Sequence, residues 1–441
     1  MKPHKLIEPW KGDKRFGEMA RRAAALKKAG QTAEQIVAAI TVEFGAPPEI
    51  AALRDTPQPF RVYGEVGTDI EPSAVAQLEL AMRLPVAAAG AGMPDMHQGY
   101  ALPVGGVAAL HNAVSPAFVG VDIGCRMSLS IFDEDLDMFL RRRTPLFADL
   151  KAVTAFGAGV SRKIRADHAV LEDERWGLTS QARNLREKAV AQLGTSGAGN
   201  HFAELVVGER LSDDATTPLR FCGLLTHSGS RGVGYAIANH FMRVAIQETA
   251  RHAKVPRNYD WLDLDSEAGA LYWQLMELAG AFAKANHDVI HAAFARRSGL
   301  APVRMIENFH NFAWIENGLV VHRKGATPAG KGELGIIPGS MGTNSYVIVG
   351  QGRPESLRSA SHGAGRRFSR THARNTLSMA DAKRFLKERD IIVEGLTIDE
   401  SPMSYKNVER VMELQIDAGL VTPIARMRPV AVIMAGEAGE G

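Results

Sequence analysis

The residues best suited to chemistry lie around Cys125, one of only two cysteines among 441 residues. Asp122 precedes it closely, and Gly124 between them permits a tight turn. A carboxylate and a thiolate brought together by such a turn can share one metal ion. Either residue alone beside an apolar strand is more often structural, so the pair indicates a metal site only if other segments add ligands.

Histidines flanked by glycine or asparagine are the candidates for those further ligands. They are His201 after Asn200, His227 before Ser228-Gly229-Ser230, His310 before Asn311, and His362 before Gly363-Ala364-Gly365. Cysteine and histidine ligands, taken by themselves, favour zinc.

Three glycine-rich segments, 194–199, 338–343 and 362–367, are the second chemical signal. Glycine lets backbone N–H groups approach a phosphate, and the arginines after His362 can bind phosphate with two nitrogens. None of the segments has the Walker or dinucleotide-binding pattern. Ordinary flexible loops are the alternative interpretation of each segment.

Composition limits the class of protein. The chain is 45% hydrophobic and 23% charged, with a formal net charge of +3, which is typical of a globular protein and too small to indicate nucleic-acid binding by itself. It has no apolar run long enough for a membrane helix and no signal-peptide core. Two cysteines exclude a disulfide framework. We therefore predict a cytoplasmic protein that does not contact a membrane.

The pattern along the chain predicts an N-terminal helical appendage, 1–56, followed by a catalytic domain, 57–441. The appendage has helices predicted at 15–29, from a capping box at Thr32 to about residue 44, and at about 49–54. Short β-rich runs, including 117–123 and 305–314, then alternate with glycine loops and longer helical patterns. This predicts a mixed α/β (α+β) fold without the regular repeat of a doubly wound sheet.

An ordered set of motifs resembles one known family, the RtcB-type RNA-splicing ligases, which are GTP-dependent 3′-phosphate RNA ligases. The resemblance covers roughly 58–430. Its motifs are Asp95-Met96-His97-Gln98-Gly99-Tyr100, Val121-Asp122-Ile123-Gly124-Cys125, Gly199-Asn200-His201-Phe202, His227-Ser228-Gly229-Ser230-Arg231-Gly232, Phe309-His310-Asn311, Arg323-Lys324-Gly325-Ala326, Pro338-Gly339-Ser340-Met341-Gly342 and Ser361-His362-Gly363-Ala364-Gly365-Arg366.

The resemblance implies an RtcB-like fold with mixed sheets, flanking helices and glycine-rich active-site loops. It also implies two Mn²⁺ ions, with zinc or another divalent metal as an alternative in vitro. Asp122, Cys125 and His201 would hold one ion, and Cys125, His227 and His310 the other. His362 would be the nucleophile that GTP guanylylates. The implied nucleotide-binding residues are Asn200, His201, Phe202, Ala203, Glu204, His310, Asn311, Pro338, Gly339, Ser340, Met341, Ser345, His362, Gly363, Ala364 and Gly365.

The implied reaction joins an RNA 3′-phosphate or 2′,3′-cyclic phosphate to a 5′-hydroxyl, in RNA splicing or repair, with an accessory activating factor as an optional partner. Two alternatives remain open at this point. One is a metal-dependent phosphoesterase that opens cyclic phosphates without ligation, and the other is a catalytically silent protein that binds RNA ends.

Two positions depart from the family pattern and indicate a divergent paralogue. Met434 stands where the family has a lysine that contacts the nucleotide, and Lys406 is a candidate replacement. Arg126 follows Cys125 where glycine is usual, and it could repel metal or bind a phosphate.

Other residues have interpretations that the sequence leaves open. His287 and His291 have metal-like helical spacing, but a surface or core pair is favoured. The arginines predicted to contact RNA ends are Arg231, Arg366, Arg367 and Arg370.

Overall fold

Two β-sheets and the helices packed on them carry the candidate ligands. A computed structural model describes residues 2–10, 13, 15–47, 50–162, 164–213 and 216–436. The α-helices of this part are α1 Pro3–Leu6, α2 Phe16–Lys28, α3 Ala33–Phe44, α4 Pro72–Met82, α5 Pro116–Val119, α6 Leu136–Arg141, α7 Arg143–Val153, α8 Ser180–Gln192, α9 Arg231–Thr249, α10 Glu267–Ser298, α11 Arg370–Thr376, α12 Met379–Glu388 and α13 Val408–Asp417. The strands are β1 Phe60–Val62, β2 Ala87–His97, β3 Val104–His111, β4 Ala113–Val114, β5 Arg126–Phe132, β6 Phe202–Arg210, β7 Arg220–Ser228, β8 Leu262–Asp263, β9 Pro302–Phe309, β10 Asn311–Glu316, β11 Leu319–Lys324, β12 Ala326–Pro328, β13 Leu334–Ile337, β14 Ser345–Gly350, β15 Ser359–Ser361, β16 Ile392–Glu394 and β17 Val421–Met434.

The larger sheet curls into a nearly closed barrel. Its strands run in the order β13-β14-β17-β6-β7-β5-β9, with β16 paired to β17. The side chain of Asn308 on β9 joins the two edges, because it accepts from the backbone N–H of Ile336 at 3.0 Å and donates to the same residue's carbonyl at 3.2 Å. Alternate residues of these strands, among them Leu129, Val206 and Ile306, fill the interior.

The smaller sheet has the order β1-β2-β3-β11-β10 and packs beside the barrel. Helix α4 covers it through an apolar cluster that includes Leu78 and Met82. The long helix α10 lies near the barrel strands β5 and β7 and packs against α9. Because most strand pairs are antiparallel, the fold is mixed α/β without a doubly wound sheet, which confirms the predicted class.

The N-terminal helices α1 to α3 surround an apolar cluster of their own that includes Trp10, Met19 and Ile36. The indole of Trp10 donates to the carbonyl of Gly45 at 2.9 Å. The capping box at Thr32 is present. The division into units 1–56 and 57–441 stays a prediction, and its outer ends, residue 1 and 437–441, lie outside the described residues.

Two local predictions were wrong. The predicted helix at 49–54 is extended over 50–54, because Ala51 pairs with Ala253 in a parallel bridge; residue 49 lies outside the described residues. The predicted strand at 117–123 is the short helix α5 followed by a turn, since Pro116 starts a helix and Gly120 has a φ of 92°. All four residues of α5 are buried, so their apolar run gave no helical periodicity.

None of the helices in the described segments is both long enough and apolar enough to cross a membrane.

Candidate metal centre and nucleotide cleft

The five predicted metal ligands meet at one end of the barrel, where strands begin or end. Asp122 and Cys125 precede β5, and His201 precedes β6. His227 is near the end of the antiparallel strand β7, and His310 occupies the break between β9 and β10. Antiparallel pairing places the end of one strand beside the start of its neighbour, so four strands deliver ligands to the same place.

Cys125 is at the centre of the cluster. Its Sγ lies 3.3 Å from Nε2 of His201 and 3.1 Å from Nε2 of His227. These three buried residues form a group whose ligand atoms could hold one metal ion. On one side, His201 Nε2 is 2.9 Å from Asp122 Oδ2, and on the other, His227 Nε2 is 3.0 Å from His310 Nε2.

Hydrogen bonds behind the cluster fix how two of the histidines present their nitrogens. His201 Nδ1 lies 2.6 Å from the carbonyl of Ser196, and His227 Nδ1 lies 3.0 Å from the carbonyl of Asn200. A carbonyl only accepts, so each Nδ1 carries a proton and each Nε2 is the ring nitrogen directed into the cluster. Two imidazole Nε2 atoms, a sulfur and a carboxylate therefore converge, and these are atom types that bind a divalent metal cation.

Burial sets the protonation of these groups. Burial raises the pKa of Asp122, but the charge and hydrogen bond of His201 outweigh it and bring that pKa to about 2. Burial lowers the pKa of His227 to about 3 and that of His310 well below its ordinary value, so both rings are neutral. Burial and the neighbouring Asp122 raise the pKa of the Cys125 thiol well above its ordinary value, so binding a metal there releases a proton.

His362 stands next to this cluster, and its ring centroid is 5.0 Å from that of His310. Its Nδ1 lies 2.6 Å from Oδ2 of Asp95, a fully buried carboxylate that also accepts from the backbone N–H of His362 at 3.2 Å. Asp95 therefore orients the ring with Nδ1 protonated and leaves the Nε2 lone pair available. Although Asp95 lies in one of the family motifs, its role could not be predicted from the sequence, because its partner is 267 residues away.

A cleft of about 1460 Å³ opens beside His362 and the cluster. Most of the predicted nucleotide-binding residues line it: Asn200, Phe202, His310, Asn311, Pro338, Gly339, Ser340, Met341, His362, Gly363, Ala364 and Gly365. The others do not. Ala203 packs in an apolar cluster on the opposite face of β6, and His201 lies behind Cys125. Ser345 supports the loop from beneath, since its hydroxyl accepts from the backbone N–H of Gly339 at 3.1 Å.

Glycine is required where the loop after His362 passes over Asp95. Gly365 has a φ of 73°, and a Cβ there would lie 2.3 Å from the carbonyl of Asp95. The loop at 338–343 packs against the loop at 362–367, because the backbone N–H of Ala364 donates to the carbonyl of Pro338 at 3.0 Å. The two glycine-rich segments thus form one wall of the cleft.

Two arginines that were predicted to face the metal site or the RNA are buried elsewhere. Arg126 is 1% exposed and turns away from the cluster; it pairs with Glu307 at 3.1 Å and stacks on the ring of Phe309 at 3.7 Å. It neither faces the metal ligands nor reaches a phosphate. Arg231 is also buried, with its guanidinium donating to the carbonyl of Gly157 at 2.7 Å and to Thr195 Oγ1 at 3.0 Å. It braces loops and presents no free face to RNA.

The far end of the cleft has an apolar wall. Met434 is nearly buried in a cluster with Met341 and Val432, and all three line the cleft. Lys406 does not replace the missing lysine there, because its Nζ donates to the carbonyl of Met96 at 2.7 Å.

His287 and His291 form a buried core pair, as favoured from the sequence, on a chain of hydrogen bonds behind β7. Thr226 Oγ1 lies 2.6 Å from His287 Nδ1 and 2.8 Å from His291 Nε2. His287 Nε2 faces the carbonyl of Ser228, and His291 Nδ1 faces the hydroxyl of Ser130. This chain of hydrogen bonds anchors the end of β7, which presents His227.

Glu204 on β6 is 2% exposed, and burial raises its pKa to about 8 from an ordinary 4.5. The folded protein therefore holds this carboxyl protonated, and the resulting stability is lost as pH rises from about 4.5 to about 8. We expect the melting temperature of the wild type to fall relative to that of Glu204→Gln across this interval, and the difference to be constant above it. Calorimetry between pH 4.5 and 9 would measure both melting temperatures. The same dependence of melting temperature on pH in the wild type and in Glu204→Gln would contradict this assignment.

The strand-end cluster and the cleft define a protein with a Cys/His metal-type centre beside an oriented histidine. The family model described as "tRNA-splicing ligase RtcB" matches residues 77–435. A "tRNA-splicing ligase RtcB" of Nanoarchaeum equitans is 31% identical over 417 residues, covering 77% of this chain and 87% of that protein. An "RNA-splicing ligase RtcB" of Escherichia coli K12 is 32% identical over 375 residues, covering 77% and 88%. One of Mycobacterium tuberculosis is 31% identical over 415 residues, covering 77% and 95%.

The chain belongs to the RtcB family.

Proposed function

We propose that this protein joins an RNA 3′-phosphate or 2′,3′-cyclic phosphate end to a 5′-hydroxyl end, with GTP, through a covalent guanylate on His362. The observation that carries the proposal is the pairing of His362 with Asp95, which leaves Nε2 free in a cleft next to the Cys/His cluster. A neutral imidazole nitrogen is a competent nucleophile near neutral pH.

The proposed centre would hold two divalent ions, taken as manganese from the family. Asp122, Cys125 and His201 would hold one ion, and Cys125, His227 and His310 the other. When bound, such ions neutralise phosphate charge and orient the leaving group. The converging acceptors of these residues fit that role.

The proposed steps begin at His362. Its Nε2 attacks the α-phosphorus of GTP, and pyrophosphate leaves. Water opens a 2′,3′-cyclic phosphate to a 3′-phosphate, whose oxygen then takes GMP from His362. The RNA 5′-hydroxyl attacks this activated phosphorus, GMP departs, and a 3′,5′-phosphodiester remains. The loop residues 338–341 and 362–367 line the cleft and would contact the phosphates.

A joining assay tests the whole proposal. Two RNA fragments, one ending in a 3′-phosphate or, in a parallel reaction, a 2′,3′-cyclic phosphate, and one beginning with a 5′-hydroxyl, are incubated with GTP and Mn²⁺. A joined product that depends on GTP supports the ligase. Opening of a cyclic phosphate without joining would favour the phosphoesterase, and binding without either reaction would favour the silent RNA-end-binding protein.

Arg367 is the best placed of the predicted RNA-contacting arginines. It is exposed at the cleft and stacks on Phe368, whereas Arg366 and Arg370 are engaged by Asp399 or Glu400. We expect Arg367→Ala to weaken joining about 10-fold, the loss of one charge-assisted phosphate contact, while His362 still becomes labelled. Joining and label would be measured on the same preparation, and equal loss of both would refute the role.

A further inference from the structure

The outer half of the cleft has features that neither the nucleotide nor the metal centre requires. The cleft volume of about 1460 Å³ exceeds the roughly 300 to 1,000 Å³ of a site for one small ligand. Beyond His362, the lining continues along α9 and past the loop that follows β2. This part, which we call the outer groove, is lined by Tyr100, Tyr235, Asn239, Arg243, Ile246 and Arg257.

Helix α9 turns one continuous stripe toward the outer groove. Tyr235, Asn239, Arg243 and Ile246 recur at spacings of three and four residues, so they share a face, and that face is about 16 Å long. Tyr235 is 59% exposed. The opposite face of the helix is buried in the core, so this stripe is held rigidly.

Tyr100 is also presented rigidly. Its side chain is 89% exposed. The backbone next to it is clamped by Gln77, whose amide donates to the carbonyl of Gly99 at 2.7 Å and accepts from the N–H of Gly99 at 2.9 Å. An exposed aromatic ring on a pinned loop exposes apolar area with no partner in the fold, which is typical of a recognition surface.

The charge of the outer groove is positive. Arg243 and Arg257 are exposed, and among the residues that the structure describes, no carboxylate pairs with either. Of the carboxylates that line the cleft, Asp122 belongs to the metal cluster and Glu400 is paired with Arg370, which leaves Glu71 at the rim. Exposed aromatic rings together with arginines that no carboxylate engages are the combination that binds single-stranded nucleic acid.

We propose that the outer groove binds unpaired RNA nucleotides next to the reacting end, with bases stacked on Tyr100 and Tyr235 and phosphates contacted by Arg243 and Arg257. This inference rests on the proposed function for its choice of RNA. Stacking on tyrosine requires the free face of a base, so the groove selects single strands and disfavours a duplex. An RNA end would therefore need several unpaired nucleotides to reach His362.

Binding measurements without GTP test the outer groove separately from the chemistry. Fluorescence anisotropy would follow an unstructured RNA of about 12 nucleotides, within the range of single-strand sites, labelled at its non-reacting end. One RNA carries a 3′-phosphate and another a 5′-hydroxyl, so the end that the groove holds is identified. Tyr235→Ala and Tyr100→Ala should each weaken binding by about 5- to 150-fold, and Tyr235→Phe should restore it, since the ring is kept.

The salt dependence tests the two arginines. Replacing both Arg243 and Arg257 by alanine should reduce the slope of log affinity against log salt by about 1.4. Arg296→Ala on α10, also exposed but outside the cleft, is the matched control and should leave RNA binding unchanged. Melting temperatures establish that each variant is folded.

The outcomes separate this inference from the proposed function. Unchanged RNA affinity in both tyrosine variants, or a blunt duplex bound as tightly as the single strand, would overturn the outer groove as a single-strand site. Absence of a guanylate on wild-type His362 would instead overturn the proposed chemistry, and the affinity differences among the tyrosine variants would still establish the groove.

Discussion

His362→Ala is expected to take up no covalent label from α-³²P-GTP in the presence of Mn²⁺, whereas the wild type gives a labelled band on a denaturing gel. Loss of the nucleophile that Asp95 orients in the cleft should reduce the guanylylation rate at least about 10³-fold. Alanine also leaves the buried carboxylate of Asp95 without its ring partner, so the metal content of the variant should be measured alongside.

Two further variants sharpen this result. Asp95→Asn keeps the shape but accepts from Nδ1 less strongly, so guanylylation should fall by roughly 10- to 100-fold. His111→Ala, at an exposed strand end outside the cleft, is the matched control and should label as the wild type does. A band that persists in His362→Ala would place the guanylate on another residue. No band in the wild type, with metal confirmed bound, would refute the GTP-dependent reaction.

Cys125→Ala is expected to lose metal at both positions of the cluster. Its sulfur lies within 3.3 Å of His201 Nε2 and 3.1 Å of His227 Nε2, so one substitution removes a ligand common to both proposed ions. The loss of affinity should exceed the roughly 10- to 100-fold that follows from removing a partner behind a ligand. Metal content after dialysis and titration calorimetry with Mn²⁺ would measure it.

Cys222→Ala is the matched control for this experiment. Cys222 is the other cysteine, fully buried on β7, where burial raises its pKa to about 12. Its removal leaves a small cavity and should cost stability without changing the bound metal. If Cys125→Ala retained the metal content of the wild type, the cluster would have to be reassigned to the histidines and Asp122.

Local signals in the sequence were enough for most helices and for the class of fold. The capping box at Thr32 and the segment 15–29 predicted helices that are present as α3 and α2. The strand β2 was missed because Ala87–His97 contains alanine, glycine and proline, and tertiary pairing with β3 outweighs their low β-propensity.

In the candidate site too, the features that depend on contacts between distant segments could not be predicted from the sequence. The five candidate ligands were predicted from motifs, and the structure brings all five together. Residues 305–314 were predicted as one run, yet the chain breaks at His310, and this break lets the ring turn to His227. The burial of Arg126 and the partner of His362 depend on contacts between distant segments, which neither periodicity nor spacing reports.

The wide spacing of the ligands along the chain has a consequence for how the protein is made. His227 is synthesised 102 residues after Cys125, and His310 comes a further 83 residues later. At typical rates of synthesis, about 10 to 40 s pass between Cys125 and His310. During that time the thiol lacks the neighbours that later bury it, so it is open to oxidation and to unintended metals. The full set of ligands proposed for the centre therefore cannot assemble until His310 has been synthesised.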